Sequence, residues 1–369
     1  MEPFRARLGG TLVVFGAGEL ARLGELARAR GARRVLLVTD PGVSAAGHAG
    51  RAVDSLRAAG LEFRIFDEVV ENPTTRHVEA GTAVARAAGI ELIVGLGGGS
   101  AMDCAKGINF LVSNGGRIED YWGEGKAAKP MLPSIGVPTT AGTGSEAQSF
   151  ALIEQEGTLR KMACGDEKVR FATVILDSDL TATQPRRVAA LTAMDAVSHV
   201  VESFVTTRRN PVSRLLSREA WRLLSEAFPA AMEDSPDEST RGHMLLGAHL
   251  AGCAIEASML GAAHAMANPL TSDFGVPHGE AVMLGLPHVV RFNEPVAGAW
   301  YRELSDEPLA ARLEAMRSRA GLATRLRDAG VPASALAGLA SQAASQWTAG
   351  FNPRPVSEAD LRGLYESAW

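Results

Sequence analysis

Four residues from two separate segments of the chain have types and spacings that could bind one metal ion. Asp195 and His199 stand four residues apart in TAMDAVSHVVE, so a helix would place both side chains on one face. The later segment GAAHAMANPLTSDFGVPHGEA adds His264 and His278. One carboxylate and three imidazoles suit a divalent first-row ion such as iron, zinc, nickel or cobalt. A helical histidine taken singly is more often an ordinary core or surface residue, so the residues alone leave both interpretations open.

The other histidines of the chain have that ordinary interpretation: His48, His77, His243, His249 and His288. His249 lies in an apolar segment and is the one among them best placed to support a metal ligand. Glu202 follows His199 by three residues. It could orient a ligand, or it could equally form a helix cap or an ion pair.

A second candidate site is the stretch GLGGGSAMDCAKG, residues 95–107. Gly97, Gly98 and Gly99 would let the backbone approach a phosphate, and Ser100 adds a hydroxyl at the positive N-terminal end of a predicted helix. The GK[ST] ending of a Walker A loop is missing, and Lys106 lies too far along the helix to replace its lysine. The stretch therefore predicts an anion site of another kind.

Two more turns follow apolar runs in the same half of the chain. VVFGAGELA has a GxGxxA spacing, and Asp40 ends the next apolar run. This resembles a dinucleotide fingerprint, in which the acidic residue binds the ribose, although a simple strand-to-helix turn is an equal alternative. The turn VPTTAGTGSE supplies the hydroxyl groups of Thr139, Thr140, Thr143 and Ser145. Turns that end parallel strands converge on one crevice, so we expect a shared ligand site.

The elements that must position these residues differ between the two halves of the chain. Up to about residue 183, short β-branched runs alternate with helix-length segments, which predicts a parallel sheet with right-handed crossovers. Glycines 31, 60 and 89 are placed to end helices. After residue 185 the hydrophobic period is helical. We predict an α/β dinucleotide-binding domain over residues 1–184 and an all-helical metal-binding domain over residues 185–369.

Composition excludes several classes of protein. The net charge is −5 and no long basic run occurs, so no nucleic-acid partner is expected and small molecules are favoured. The three cysteines are widely spaced, which favours a reducing, cytoplasmic location. We expect no signal peptide, because the apolar run near the N-terminus is short. The most membrane-like segment, residues 244–270, is interrupted by polar residues, and we interpret it as a buried helix pair.

The motifs GGGSAMDCAK, PTTAGTGSE, the DxxxH helix and HAMANPL…PHG together resemble those of the iron-dependent (group III) alcohol dehydrogenases. The C-terminal FNPRPVSEADLRGLYESAW is similar to that family's ending, so the resemblance spans nearly the whole chain. It implies the dehydroquinate synthase-like fold, with the nicotinamide and the metal facing each other in a cleft between the domains. It also implies reversible hydride transfer between a primary alcohol and its aldehyde, and a homodimer or larger homo-oligomer.

The resemblance assigns roles residue by residue. The metal ligands would be Asp195, His199, His264 and His278, with Fe²⁺ expected first and Zn²⁺ second. Asp103 and Lys161 would lie near the reacting centre, although a helix-end carboxylate and a surface lysine are the alternatives. Because Asp40 would repel a 2′-phosphate, NAD is expected over NADP. The expected cofactor contacts are Asp40, Asn72, Gly97, Gly98, Gly99, Ser100, Thr139, Thr140, Thr143 and Leu180.

The chain departs from the family pattern at two places. Many relatives have a second histidine four residues after the first in this segment, where this chain has Asn268, and an amide cannot act as an acid or base near neutral pH. Gln148, Ser149 and Phe150 also replace the usual residues, and we expect them to line the pocket. Alternatives within the fold are a metal-free maleylacetate reductase and a glycerol-1-phosphate dehydrogenase or dehydroquinate synthase type of enzyme. A non-enzymatic binding protein is the alternative outside it.

Overall fold

The computed structural model of the chain describes residues 1–158 and 160–369. The chain divides into two compact units. The first comprises Met1–Thr140 and Ser145–Gln184, and the second comprises Ala141–Gly144 and Pro185–Trp369. Each unit has its own architecture, an α/β layer structure in the first and a helical bundle in the second, as the sequence predicts.

The first unit is built on a seven-stranded sheet with the strand order β1-β2-β10-β7-β5-β3-β4. All neighbours pair in parallel except β1, which is antiparallel to β2. The strands of the chain are β1 (Phe4–Leu8), β2 (Thr11–Phe15), β3 (Arg34–Val38), β4 (Glu62–Phe66), β5 (Leu92–Gly97), β6 (Gly123–Glu124), β7 (Ser134–Pro138), β8 (Phe150–Glu154), β9 (Lys161–Gly165) and β10 (Thr173–Leu176).

The central strands are buried because helices cover the sheet. Every residue of β5 and β7 is buried, which explains their continuous apolar runs. The helices of this unit are α1 (Leu23–Ala29), α2 (Pro41–Ala45), α3 (His48–Ala58), α4 (Thr75–Ala87) and α5 (Gly99–Asn114). Gly31, Gly60 and Gly89 follow three of these helices with positive φ angles of 82°, 70° and 58°, as predicted for helix-ending glycines.

Two parts of this unit were not predicted. The edge strand β1 is largely exposed, so its sequence lacks the apolar run by which the buried strands are identified. A separate sheet has the order β6-β9-β8, with β8 and β9 antiparallel. Its strand β6 has only two residues, too few to produce a recognisable pattern.

The second unit is helical, with no β-strand among its described residues. Its helices are α6 (Arg186–Val205), α7 (Pro211–Ala231), α8 (Glu238–Glu256), α9 (Ala262–Phe274), α10 (His278–Leu304), α11 (Leu309–Arg319), α12 (Leu336–Ala344) and α13 (Glu358–Ala368). Helix α6 packs against α7, α8 and α10. From Ala193 to its end every residue of α6 is buried, which makes it the core of the bundle.

Helix α6 is also the one described helix whose length and mean hydropathy would suffice to cross a membrane, and 78% of its apolar window is buried within the protein. A buried helix of a bundle meets the same criteria. The segment that the sequence marks as most membrane-like, residues 244–270, instead divides between α8 and α9. Its interpretation as a helix pair is confirmed.

The close contact between helices α1 and α3 in the first unit allows a test of how these two helices pack. A Cβ on Gly24 of α1 would lie 2.2 Å from the Ser55 backbone oxygen of α3, whereas one on Gly50 of α3 would meet nothing within 4 Å. We predict that Gly24→Ala destabilises the protein by about 1–3 kcal/mol through overpacking. The matched change Gly50→Ala should stabilise it by about 0.4–1 kcal/mol. Thermal unfolding midpoints measure both, and equal midpoints would contradict this packing.

Candidate functional site

In the helical unit, the predicted metal ligands surround one carboxylate oxygen. Asp195 Oδ1 lies 3.3 Å from His199 Nε2 and 3.8 Å from the Nε2 atoms of both His264 and His278. The donor atoms of Asp195, His199 and His264 all lie within 4.8 Å of one another, and these three residues are buried. The His278 side chain is 36% exposed. The structure thus brings all four predicted ligands together.

Three helices hold these side chains in place. Asp195 and His199 are one turn apart on the buried helix α6, so they share a face. His264 lies in the first turn of α9, and His278 is the first residue of α10. The His199 and His264 rings stack with centroids 5.1 Å apart. Packing of rigid helices therefore positions each donor atom.

Glu202 of α6 orients one of the imidazoles. Its Oε2 lies 2.6 Å from His264 Nδ1, and its Oε1 accepts a 2.7 Å hydrogen bond from the Ala263 backbone N–H. A Cβ on Gly261 would come 3.0 Å from Oε1, so a glycine leaves room for the carboxylate. Because a carboxylate accepts the Nδ1 proton, Nε2 carries a lone pair toward Asp195. Glu202 therefore contacts a predicted ligand, as the sequence allowed, and it also caps a helix, although that helix is α9 and not its own.

The cluster has the chemistry of a metal site. Among the described residues, Asp195 Oδ1 and His264 Nε2 are buried atoms without a hydrogen-bond partner. A buried carboxylate oxygen or imidazole lone pair without a partner is costly. A divalent ion bound by one carboxylate and up to three imidazoles would satisfy both atoms. The residues present therefore fit such an ion.

In the α/β unit, Asp40 and two of the three predicted turns lie at one edge of the sheet. They follow β3, β5 and β7, which are neighbours in the order β7-β5-β3. A Cβ on Gly97 would come 3.1 Å from Asp40 Oδ2, and one on Gly98 would come 3.6 Å from Thr140 Oγ1. The Thr139 N–H donates a 2.9 Å hydrogen bond to the Gly97 carbonyl. The convergence is thus observed for the turns GLGGGS and VPTTAGTGSE with Asp40, whereas the third predicted turn, VVFGAGELA, follows β2.

The turn after β5, which contains Gly97, Gly98 and Gly99 and is called the glycine turn, has the backbone geometry of an anion site. Gly97 has a φ angle of 151°, and a Cβ there would lie 2.8 Å from the Ala101 Cβ. Gly98 caps the N-terminus of α5, where backbone N–H groups lack helical partners. The Ser100 hydroxyl accepts a 3.3 Å hydrogen bond from the N–H of Asn72, whose φ angle is 55°. Asn72 and Ser100, both predicted cofactor contacts, are thus adjacent.

Helix α5 anchors the end of the turn VPTTAGTGSE, called the threonine turn, through a buried hydrogen-bond network that the sequence did not reveal. Lys106 Nζ donates hydrogen bonds to the carbonyls of Ser145 and Phe150 at 2.7 and 2.6 Å. The Ser145 hydroxyl donates a 2.5 Å bond to Asp103 Oδ1. Burial raises the pKa of the Asp103 carboxyl, and the Lys106 charge partly opposes that rise. Lys161, the first residue of β9, is exposed.

The turn in VVFGAGELA follows β2 and is called the first glycine turn. Its contacts differ from those that a dinucleotide fingerprint implies. The Asp177 carboxylate accepts 2.9 Å hydrogen bonds from the N–H groups of Gly18 and Leu20. Its side chain is fully buried. Because an acidic side chain of the chain itself occupies these donors, the turn is a structural strand-to-helix connection. This is the alternative that the sequence left equally open.

Other predicted residues are less directly placed. Leu180 is fully buried in the hydrophobic core of the α/β unit, and its role as a cofactor contact stays a prediction. Thr143 belongs to the helical unit, where a Cβ on Gly142 would lie 2.3 Å from the Thr192 Cβ. His249 Nε2 lies 3.6 Å from Cys253 Sγ on α8.

Comparison with known proteins identifies the family. Residues 10–178 match the model "Iron-containing alcohol dehydrogenase", and residues 189–369 match "Fe-containing alcohol dehydrogenase family, C-terminal". Alcohol dehydrogenase 4 of Schizosaccharomyces pombe is 32% identical over 96% of this chain and 87% of its own length. Lactaldehyde reductase of Escherichia coli K12 is 30% identical over 96% of this chain and 97% of its own length.

The solved structures agree. A crystal structure of 1,3-propanediol oxidoreductase superimposes with a TM-score of 0.94 at 30% identity, covering 100% of this chain and 99% of that one. The fold and the site thus define a metal-dependent oxidoreductase that acts on CH–OH groups. The chain belongs to the iron-containing alcohol dehydrogenase family, as its motifs predict.

We predict that Glu202→Gln weakens metal binding by about 10–100-fold. A glutamine amide would donate to His264 Nδ1 instead of accepting from it, which moves the imidazole proton to Nε2 and removes the ligand lone pair. Competition with a chromogenic chelator measures the affinity. Glu226→Gln is the control, since Glu226 pairs with Arg222 on the exposed surface of α7. Equal affinities of the two variants would reject this role for Glu202.

Proposed function

We propose that the chain interconverts a primary alcohol and its aldehyde, with NAD as the preferred nicotinamide nucleotide and Fe²⁺ as the preferred ion. The observation that carries the metal half is the group of buried donor atoms around Asp195 Oδ1, two of them without protein partners. When bound, a divalent ion would supply Lewis acidity and the nucleotide would supply hydride chemistry. Because all four predicted metal ligands are present, a metal-free enzyme of the maleylacetate reductase type is disfavoured.

The chain's own residues have separate tasks in this reaction. Asp195, His199, His264 and His278 would hold the ion, and Glu202 sets the tautomer of His264 through its 2.6 Å hydrogen bond. Fixed ligand orientation keeps the donor atoms in place, so that the site does not reorganise during the reaction.

The nucleotide would lie at the edge formed by the turns after β3, β5 and β7. The N–H groups at the start of α5 suit the pyrophosphate, since they are oriented donors at a helix N-terminus. Asp40 suits the adenosine ribose, whose hydroxyls a carboxylate accepts. The remaining predicted contacts at this edge are Asn72, Ser100, Thr139 and Thr140.

Asp103 and Lys161 stay as proposals for the reacting centre. The 2.5 Å bond from Ser145 and the proximity of Lys106 support a positioning role for Asp103, which would hold the turn before β8. We further propose that the protein is cytoplasmic and forms a homo-oligomer, with a homodimer as the expected form. The three free cysteines support a reducing compartment.

The proposed function is tested by measuring the oxidation of NADH and NADPH with a panel of aldehydes. The assay is run with added Fe²⁺, with added Zn²⁺ and with a chelator. Metal-dependent turnover is expected with NADH. His264→Ala should lose bound metal and reduce kcat/KM at least ~10³-fold, because Lewis-acid stabilisation contributes several kcal/mol. His243→Ala, on α8 and outside the ligand group, is the control. Failure of every aldehyde with every metal would overturn the proposal.

The nucleotide preference gives a separate prediction. Asp40 Oδ1 also accepts a 2.9 Å hydrogen bond from Val43 N–H as the cap of α2, and asparagine keeps that cap. Asp40→Asn should raise kcat/KM for NADPH about fivefold or more, since a like charge near ~4 Å costs on the order of 1 kcal/mol even in water. Asp54→Asn on α3 is the matched control. An unchanged NADPH-to-NADH ratio would contradict the placement of the ribose at Asp40.

A further inference from the structure

One pair of neutral side chains lies about one helical turn from a predicted metal ligand of the helical unit. Asn268 follows His264 by four residues on α9, so it lies on the same face of the helix, about 6 Å further along the axis. Its Nδ2 donates a 3.0 Å hydrogen bond to Gln346 Oε1. Gln346 precedes the turn of 3-10 helix Trp347–Phe351, which packs against α9. We call Asn268 and Gln346 the amide pair.

The amide pair retains one acceptor and one donor. Among the described residues, Asn268 Oδ1 and Gln346 Nε2 have no protein hydrogen-bond partner, and neither atom is buried. If the oxygen and nitrogen positions of both side-chain amides are exchanged, the pair still presents one carbonyl oxygen and one amino group. Both side chains are half-buried. The pair is thus an accessible, uncharged donor and acceptor.

The surroundings narrow the ligand that such a pair would take. Trp347 is 50% exposed and contacts the Phe351 ring edge-on, with centroids 5.9 Å apart. An exposed aromatic face favours the CH₂ groups of a small ligand. A donor and an acceptor together match a hydroxyl group, which can accept from the amino group and donate to the carbonyl. A carboxylate or phosphate matches poorly, because it cannot donate to the carbonyl oxygen.

We propose that the amide pair binds a second hydroxyl of the substrate, so that the preferred substrates are short primary alcohols with another hydroxyl one or two carbons from the reacting carbon, together with the corresponding hydroxyaldehydes. This inference rests on the proposed function, because it requires the reacting carbon to be held beside the Asp195 ligand group. A site built to hydrogen-bond a substrate hydroxyl discriminates against the analogue that lacks it.

The test compares oxidation of 1,2-propanediol, 1,3-propanediol and 1-propanol by the NAD-dependent, metal-loaded protein. Wild type should prefer at least one diol over 1-propanol in kcat/KM by about tenfold, the value of one or two neutral hydrogen bonds. Asn268→Leu and Gln346→Met should each reduce that preference about 3- to 10-fold, because kcat/KM should fall more for the diols than for 1-propanol. A structural defect would instead lower kcat/KM for all three alcohols together.

Gln342→Met is the matched control. Gln342 is an exposed residue of α12 whose Nε2 donates to Asp273 Oδ2 at 2.7 Å, so this variant also loses one amide hydrogen bond, outside the amide pair. It should retain the wild-type preference. A Gln342→Met variant that loses the preference as Gln346→Met does would overturn the proposal.

A second measurement does not depend on turnover. The unfolding midpoint of the metal-loaded, NAD-bound protein should rise more with the preferred diol than with 1-propanol at equal concentration, and Gln346→Met should abolish the difference. Equal kinetic preference in wild type and both variants, or equal midpoint shifts, would overturn the inference. If none of the three alcohols is turned over, the midpoint shifts decide the role of the amide pair, and the aldehyde panel described above decides the proposed function.

Discussion

The hydrogen bond between Glu202 and His264 Nδ1 is the interaction on which the metal cluster depends. It joins α6 to α9 inside the bundle, and the other oxygen of the same carboxylate caps the first turn of α9 through Ala263 N–H. One buried side chain therefore fixes both the position of the helix and the tautomer of its histidine. A carboxylate buried to this degree is stable only with such partners, so the site and the packing of the bundle are parts of one arrangement.

The α/β unit shows a comparable dependence on buried charge. Lys106 has no exposed side-chain surface, and a buried ammonium requires hydrogen bonds to carbonyls or a carboxylate. Its bonds to Ser145 and Phe150 connect α5, which begins at the glycine turn, to the segment that follows the threonine turn. The two predicted nucleotide turns are thus held by the same helix, one at its N-terminus and the other through a side chain in its second turn.

Much of this architecture was predictable from the sequence, and the exceptions have physical reasons. Strands such as β5 and β7 are buried on both faces, so their apolar runs are unambiguous, and the DxxxH spacing on α6 directly implies one helical face. The edge strand β1 is largely exposed, and the small sheet includes the two-residue strand β6, so neither has the continuous apolar run of a buried strand. A different limit applies to the first glycine turn, because its N–H donors are satisfied by Asp177, which follows Gly18 by 159 residues in the chain. Local spacing cannot reveal a partner that is so distant in the chain.

Charge balance restricts both the ion and the substrate of the metal site. Metal-ligating histidines are neutral, so the cluster contributes two negative charges, from Asp195 and from Glu202, both buried. A divalent cation neutralises them, whereas an ion of another charge would leave a net charge in a low-dielectric bundle, which is costly. A neutral alcohol or aldehyde preserves that balance better than an anionic substrate does. The adjacent Asn268 and Gln346 are uncharged at every physiological pH, so the surface beside the ligands adds hydrogen-bonding capacity without changing the charge that the ion must balance.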